Sequence, residues 1–147
     1  MNHHSGAKSV SKHSASVAAS ATYTHEIDTL GFKYASIDVM FSPFTASNVS
    51  IASVLRVGET DTTGGSLTNV SGLVGGTDFT IAATGASTGN VGGIARFNVD
   101  LRGRKRYLTV VTTPSTTVAV VSSVRLSKGE QHAVTASESG VNVVASV

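Results

Sequence analysis

Apolar and polar positions alternate along much of this chain, and a period of two marks a half-buried β-strand. Across Tyr34–Phe41, Ile37, Val39 and Phe41 fall on one side and Ser36, Asp38 and Met40 on the other. Thr22–Asp28 reads the same way, with Tyr23, His25 and Ile27 together, and Leu30–Gly31 follows as a turn. Ser42–Pro43 ends the Tyr34–Phe41 run, because proline donates nothing to a ladder. A further strand is predicted over Asn48–Val57, where Val49, Ile51, Leu55 and Val57 are apolar. Later, Ala95, Phe97, Val99 and Leu101 alternate with Arg96, Asn98 and Asp100. Tyr107–Thr113, which stops before Pro114, and Thr117–Leu126 complete the strong signals.

The intervening stretches are rich in Gly, Thr, Ser and Asn. Glu59–Gly76 reads as an extended loop with one short edge strand near Leu67–Val70. Asp78–Ala82 is a short strand, and Thr84–Gly93 is a second Gly-rich loop. Beyond Lys128–Gly129 the pattern weakens, with room for one last strand within Ala133–Val147. Residues 1–21 are Ser- and Ala-rich, carry Lys8, Lys12, His3, His4 and His13, and contain no acid and no aromatic. Such a segment has little to bury, so a flexible basic arm is expected ahead of a single domain over 22–147. About eight short strands with turn-rich connections predict an all-β, two-sheet antiparallel sandwich, with a jelly roll as the natural form.

Composition sharpens this picture. A chain of 147 residues can bury one independent core. Its apolar content of 40% is mainly Val and Ala, which with Thr suits pleated sheet. Charged residues are only 14%, a sparse layer that points to partners covering the surface, or to a neutral Ser/Thr exterior. There is no cysteine, so packing, strand pairing or assembly must supply stability. No apolar run reaches the roughly 18–20 residues of a bilayer span, and Val17–Ala21 is too short for a signal core. No membrane role is therefore expected.

Chemistry is thin. The histidines show no metal-ligand spacing. Glu59 and Asp61 form the closest acidic loop pair, fewer oxygens than a calcium loop needs. Glu26 and Asp28 share a strand face, where they can do acid–base work or receive an arginine. The one Gly-x-Ser-x-Gly match, Gly85–Gly89, falls in a Gly-rich loop without the strand-to-helix context that a nucleophile elbow needs, and no phosphate-binding Gly-Lys loop occurs. The expectation is a protein that is not an enzyme and holds no metal or cofactor.

The strongest local feature is Arg102-Gly-Arg-Lys-Arg106, which holds four of the eleven Lys and Arg residues. It lies at a turn between two strands, immediately before Tyr107. A solvated hairpin, an acid-bearing protein interface and a nucleic-acid contact all compete. Arginine pairs carboxylates bidentately, which favours the protein interface. An aromatic content of 5% and a net charge of +2 argue against direct nucleic-acid binding.

Three stretches, IDTLGFKYASIDV (27–39), FNVDLRGRKRYL (97–108) and VRLSKGEQ (124–131), together resemble small decoration, or cement, proteins of tailed-phage heads. The likeness spans about residues 22–135 and is one of phrasing, without a diagnostic motif. It implies a jelly-roll-like structural virion protein forming a homodimer or homotrimer. Such a protein sits on the outer surface of the phage head, across contacts between major capsid protein subunits, and stabilises the shell. Arg102, Arg104, Lys105 and Arg106 are then the expected charged anchors, Tyr107 and Phe32 the apolar ones, and Lys8 and Lys12 the basic points of the arm. The rival readings are a carbohydrate-binding or adhesin-like sandwich using the Glu59–Gly76 loop, a hydrolase on the same scaffold, and a tail or fibre component.

Overall fold

The computed structural model describes residues 7–43, 55–79 and 92–127. These form eight strands: β1 Lys8–Val17, β2 Tyr23–Asp28, β3 Tyr34–Phe41, β4 Arg56–Thr60, β5 Thr68–Val74, β6 Gly93–Asp100, β7 Tyr107–Thr112 and β8 Val118–Ser127. No helix occurs among the described residues. Two four-stranded antiparallel sheets result, ordered β1-β8-β3-β6 and β2-β7-β4-β5.

That order is a jelly roll. β1 pairs with β8, β2 with β7, β3 with β6 and β4 with β5, as though one long hairpin had formed. Rolling the hairpin then adds the β3–β8 and β4–β7 ladders. The alternation read from the sequence sets which residues face inward. Ile37, Val39, Phe41, Phe97, Val120, Val124 and Leu126 of one sheet meet Ile27, Val57, Leu108 and Val110 of the other in one core. β3 occupies the predicted residues, and its inward side chains are at most 4% exposed.

Three expectations are corrected. Residues 8–17 are not an arm: they pair with β8 in ladder fashion from Lys8↔Leu126 onward. β1 buries few of its own side chains, so the hydrophobic pattern carries no trace of it; backbone pairing to the edge of β8 holds it. Only residues 1–6 of the expected arm lie outside the described residues. The expected Glu59–Gly76 loop also holds more strand than predicted. β4 continues to Thr60 and β5 runs from Thr68 to Val74, leaving 61–67 as the true connection. Of the predicted Asn48–Val57 strand, β4 takes only Arg56 and Val57, and residues 48–54 lie outside the described residues. So do residues 80–82 of the predicted Asp78–Ala82 strand, most of the Thr84–Gly93 loop and all of Ala133–Val147.

The 61–67 connection folds back over the outer face of its sheet. Thr63 Oγ1 and the Gly64 amide both donate to the Glu26 carboxylate on β2. Leu67 lies against Gly58, where a side chain would meet its Cβ at 3.0 Å. Under this strap Thr60 and Thr109 are buried although they point away from the core.

Candidate protein interface

The basic cluster sits in the turn from β6 to β7. The Arg104 amide donates to the Leu101 carbonyl at 3.1 Å, and Gly103 takes a φ of 80° that disfavours any side chain there. Each arginine then reaches a different strand. Arg102 clamps Asp100 at the end of β6, with Nη2 2.5 Å from Oδ2, and its guanidinium lies over the Tyr34 ring. Arg104 approaches Glu59 of β4 at 3.7 Å, and the Lys105 amide donates to the same carboxylate. Arg106 makes a bidentate pair with Asp28 of β2, at 2.9 and 2.8 Å, and covers the Tyr107 ring 4.9 Å from its centroid.

The neighbouring turn is tied into the same block. Both the Thr29 amide and its hydroxyl donate to the Arg106 carbonyl. The Leu101 amide donates to the Lys33 carbonyl, and the Lys33 amide to that of Ser127. Asp28 caps the 29–32 turn by accepting the Leu30 amide. The β2–β3 turn, the β6–β7 turn and the end of β8 therefore make one rigid end of the sandwich.

The electrostatics follow from these pairs. Hydrogen bonds from Arg102 hold the Asp100 carboxyl down at about 2. Asp28 is lowered chiefly by the Arg106 hydrogen bond, with Lys8 adding a weaker pull. Exposed pairs of this kind add little to stability in water. Their consequence is geometric: the three arginine charges are already matched by carboxylates from three strands. Lys8, Lys33 and Lys105 have no ion pair among the described residues.

The structure thus gathers Arg102, Arg104, Lys105, Arg106, Tyr107, Phe32 and Lys8 at one end. Phe32 is partly buried and packs against the core, and Tyr107 is half-buried under Arg106. Lys12 stands apart, four residues further along β1 or about 13 Å. It turns into the seam between β1 and β2, where Nζ donates to the Thr24 carbonyl and lies over the Tyr23 ring. Sequence reasoning missed two groups. Leu30 exposes 66% of its surface at the tip of the β2–β3 turn, and Lys33 lies just beyond it. A leucine inside a predicted turn was the available signal. It also missed the acids that occupy the arginines, because Glu59 and Asp28 lie 45 and 78 residues from Arg104 and Arg106.

Glu26 and Asp28 share a face as expected, and both carboxylates are taken, by the strap and by Arg106. Glu59 turns toward the hairpin, so it forms no loop pair with Asp61. No protein-family model matches this chain, and no curated protein matches it.

Proposed function

We propose that this protein is a structural component of a virus particle, a decoration protein that docks on the outer surface of a tailed-phage head and stabilises it. The observation that carries the reading is the braced loop end: a rigid platform whose lysines have no ion pair among the described residues, with an exposed Leu30 at its tip. Such a surface fits an acidic, partly apolar seam between major capsid protein subunits. The arginines act first as braces that fix the platform, and the exposed part of Arg102 and Arg106 adds to the contact. Binding an assembled lattice and not its separated subunits stabilises the lattice by linkage. Several copies on one shell add avidity.

The test is binding to purified expanded heads that lack the protein. Added protein should bind them and raise their resistance to heat and dilution. Replacing Arg102, Arg104, Lys105 and Arg106 together with Ala should weaken binding, most visibly at low salt. Heads that neither bind the protein nor gain resistance would end the proposal.

A glycan-binding reading has one observation behind it. A shallow groove of about 430 Å³ on the outer face of the first sheet is lined by Tyr34, Ser36, Asn98 and Asp100. An aromatic ring beside an amide and a carboxylate is the chemistry sugars use. Arg102, however, covers the Tyr34 ring and occupies Asp100, which leaves this reading second. A glycan array separates the two.

A further inference from the structure

A jelly roll leaves four edge strands, here β1, β6, β2 and β5, and each edge is a template for another strand unless something blunts it. Three are blunted. The ladder of β1 is interrupted between Ser14 and Val17, and the strand carries Lys8 and Lys12. The ladder of β5 with β4 shifts register between Arg56↔Val74 and Gly58↔Asn69, and β5 contains Gly72 at a φ of 87°. β2 lies against β1 through Tyr23 and Lys12, and its Glu26 holds the strap. β6 differs. It pairs with β3 without a shift from Gly93 to Asp100 and contains neither proline nor lysine. No strand among the described residues occupies its other side.

The outward residues of β6 are Ile94, Arg96, Asn98 and Asp100, all exposed, with Ile94 at 68%. In an antiparallel pair, directly opposed residues share a face. A copy pairing with itself must therefore oppose outward to outward, and few centres are open to it. Centring on Arg96 sets two guanidinium groups face to face. Centring on Phe97 sets Ile94 against a carboxylate and forms no ion pair. Centring on Asn98 sets Arg96 opposite the partner's Asp100 and Asp100 opposite the partner's Arg96. The sequence Arg96-x-Asn98-x-Asp100 is self-complementary about its middle residue.

We propose that two copies of this chain pair β6 against β6 across a twofold axis through Asn98, merging their four-stranded sheets into one continuous sheet. Arg96 and Asp100 each keep their intrachain partner, Asp38 and Arg102, and gain a second of opposite charge across the axis. The result is an alternating row of charges along the seam. The seam borrows Asp100 from the braced loop end, but it rests on the β6 edge alone, so this pairing does not depend on the docking reading.

The absence of cysteine makes a clean test possible. In Asn98→Cys the two thiols face each other across the axis, with Cβ atoms about 5 Å apart, so that a small local shift brings them within reach of a disulfide. Mild oxidation should convert most of the protein to a cross-linked dimer. Asn69→Cys, exposed on the β5 edge, should remain largely uncrosslinked. Sedimentation of the unmodified protein should show a concentration-dependent dimer. Arg96→Asp or Asp100→Arg alone should reduce that dimer, and the double swap should restore it despite breaking both intrachain pairs. A protein that sediments as a monomer at every concentration, or cross-links through position 98 no faster than through 69, overturns the proposal. A swap no better than either single reversal overturns the register centred on Asn98.

Discussion

The His25 imidazole meets the Ser122 hydroxyl at 2.5 Å inside the sandwich, joining β2 of one sheet to β8 of the other. Ser122 in turn lies 2.7 Å from the Tyr23 hydroxyl, which donates to the Lys12 carbonyl of β1 at 2.8 Å. One proton assignment satisfies every contact. Tyr23 spends its only proton on Lys12, so Ser122 donates to Tyr23 and His25 Nδ1 donates to Ser122. The neutral imidazole therefore carries its proton on Nδ1. A serine and a histidine in contact suggest a nucleophile and its base, but Ser122 has no exposed surface, so no substrate reaches it. The relay is a structural bolt across the seam where the sheets close.

The bolt makes stability depend on pH. Burial, helped by the Lys12 ammonium, lowers the His25 pKa from 6.5 to about 4. Between those values the unfolded chain holds a proton that the folded chain does not, so stability falls as pH falls through this window and levels off below it. The loss is on the order of 3 kcal/mol. Urea unfolding at about pH 7.5 and about pH 4.5 should show it. His25→Gln should be less stable at the higher pH but lose clearly less on acidification. Parallel losses in both proteins would remove His25 as the source.

Tyr23→Phe tests the far end of the relay. It leaves the ring packing intact and orphans the Lys12 carbonyl and the Ser122 proton. A loss of about 1 to 2 kcal/mol is expected. Because the lost bond ties β1 to β2, amide exchange in β1 should rise more than in β3. Uniform acceleration through both strands would contradict this role.

The strap over the second sheet offers a local test. At Gly65 an added Cβ would stand 2.3 Å from Thr62 Oγ1 and 2.6 Å from Thr60 Oγ1. Gly65→Ala should therefore cost about 1 to 3 kcal/mol through overpacking. Glu26→Gln keeps the shape but weakens the acceptor for Thr63 and Gly64, whose hydrogen bonds lower the Glu26 pKa. Exchange of the Gly64 amide should accelerate with little change in the global unfolding midpoint. A strap that exchanges at the same rate in both proteins is not held by Glu26.

How legible the fold was in the sequence depended on whether a strand pays into the core with its own side chains. β3 and β8 alternate cleanly, and they and the nearly continuously buried β7 were placed to within a residue or so. β1 was invisible because Ser, Lys and His line most of it, and a ladder of backbone hydrogen bonds leaves no mark on hydropathy. β5 was legible only in part: the edge strand expected near Leu67–Val70 is there, anchored by Val70 at 2% exposure, but Ser71 and Gly72 read as loop although the strand runs on to Val74. In the candidate interface the cluster itself was obvious, and so was its place in a turn. Its pairing was not, since only Asp100 lies near its arginine in sequence. Distant carboxylates turned an apparent patch of free charge into a braced structure.

Thr112 carries a buried hydroxyl that has no hydrogen-bond partner among the described residues, and its surface is fully covered. Thr112→Val preserves the shape and removes that unpaired group. A gain of about 1 kcal/mol is expected in chemical denaturation. A loss instead would mean that the hydroxyl has a partner, such as an ordered water.

The bracing account separates two kinds of basic residue at the loop end. Lys105 has no ion pair among the described residues, and Leu30 stands at the tip, so neither holds the platform together. Lys105→Ala and Leu30→Ser should change the unfolding free energy by less than about 0.5 kcal/mol. Each should still weaken binding to expanded heads, by roughly threefold for the lysine, with the loss shrinking as salt is added. Arg106 is committed to Asp28 and roofs Tyr107. Arg106→Ala should therefore loosen the 29–32 turn, seen as faster exchange at Thr29 and Phe32, and weaken binding through that loss of shape. Asp28→Asn should reproduce the loosening, since it breaks the same pair from the other side. If Arg106→Ala abolished binding while Asp28→Asn, Lys105→Ala and Leu30→Ser left it unchanged, the arginine itself would be the contact and the division of labour drawn above would fall.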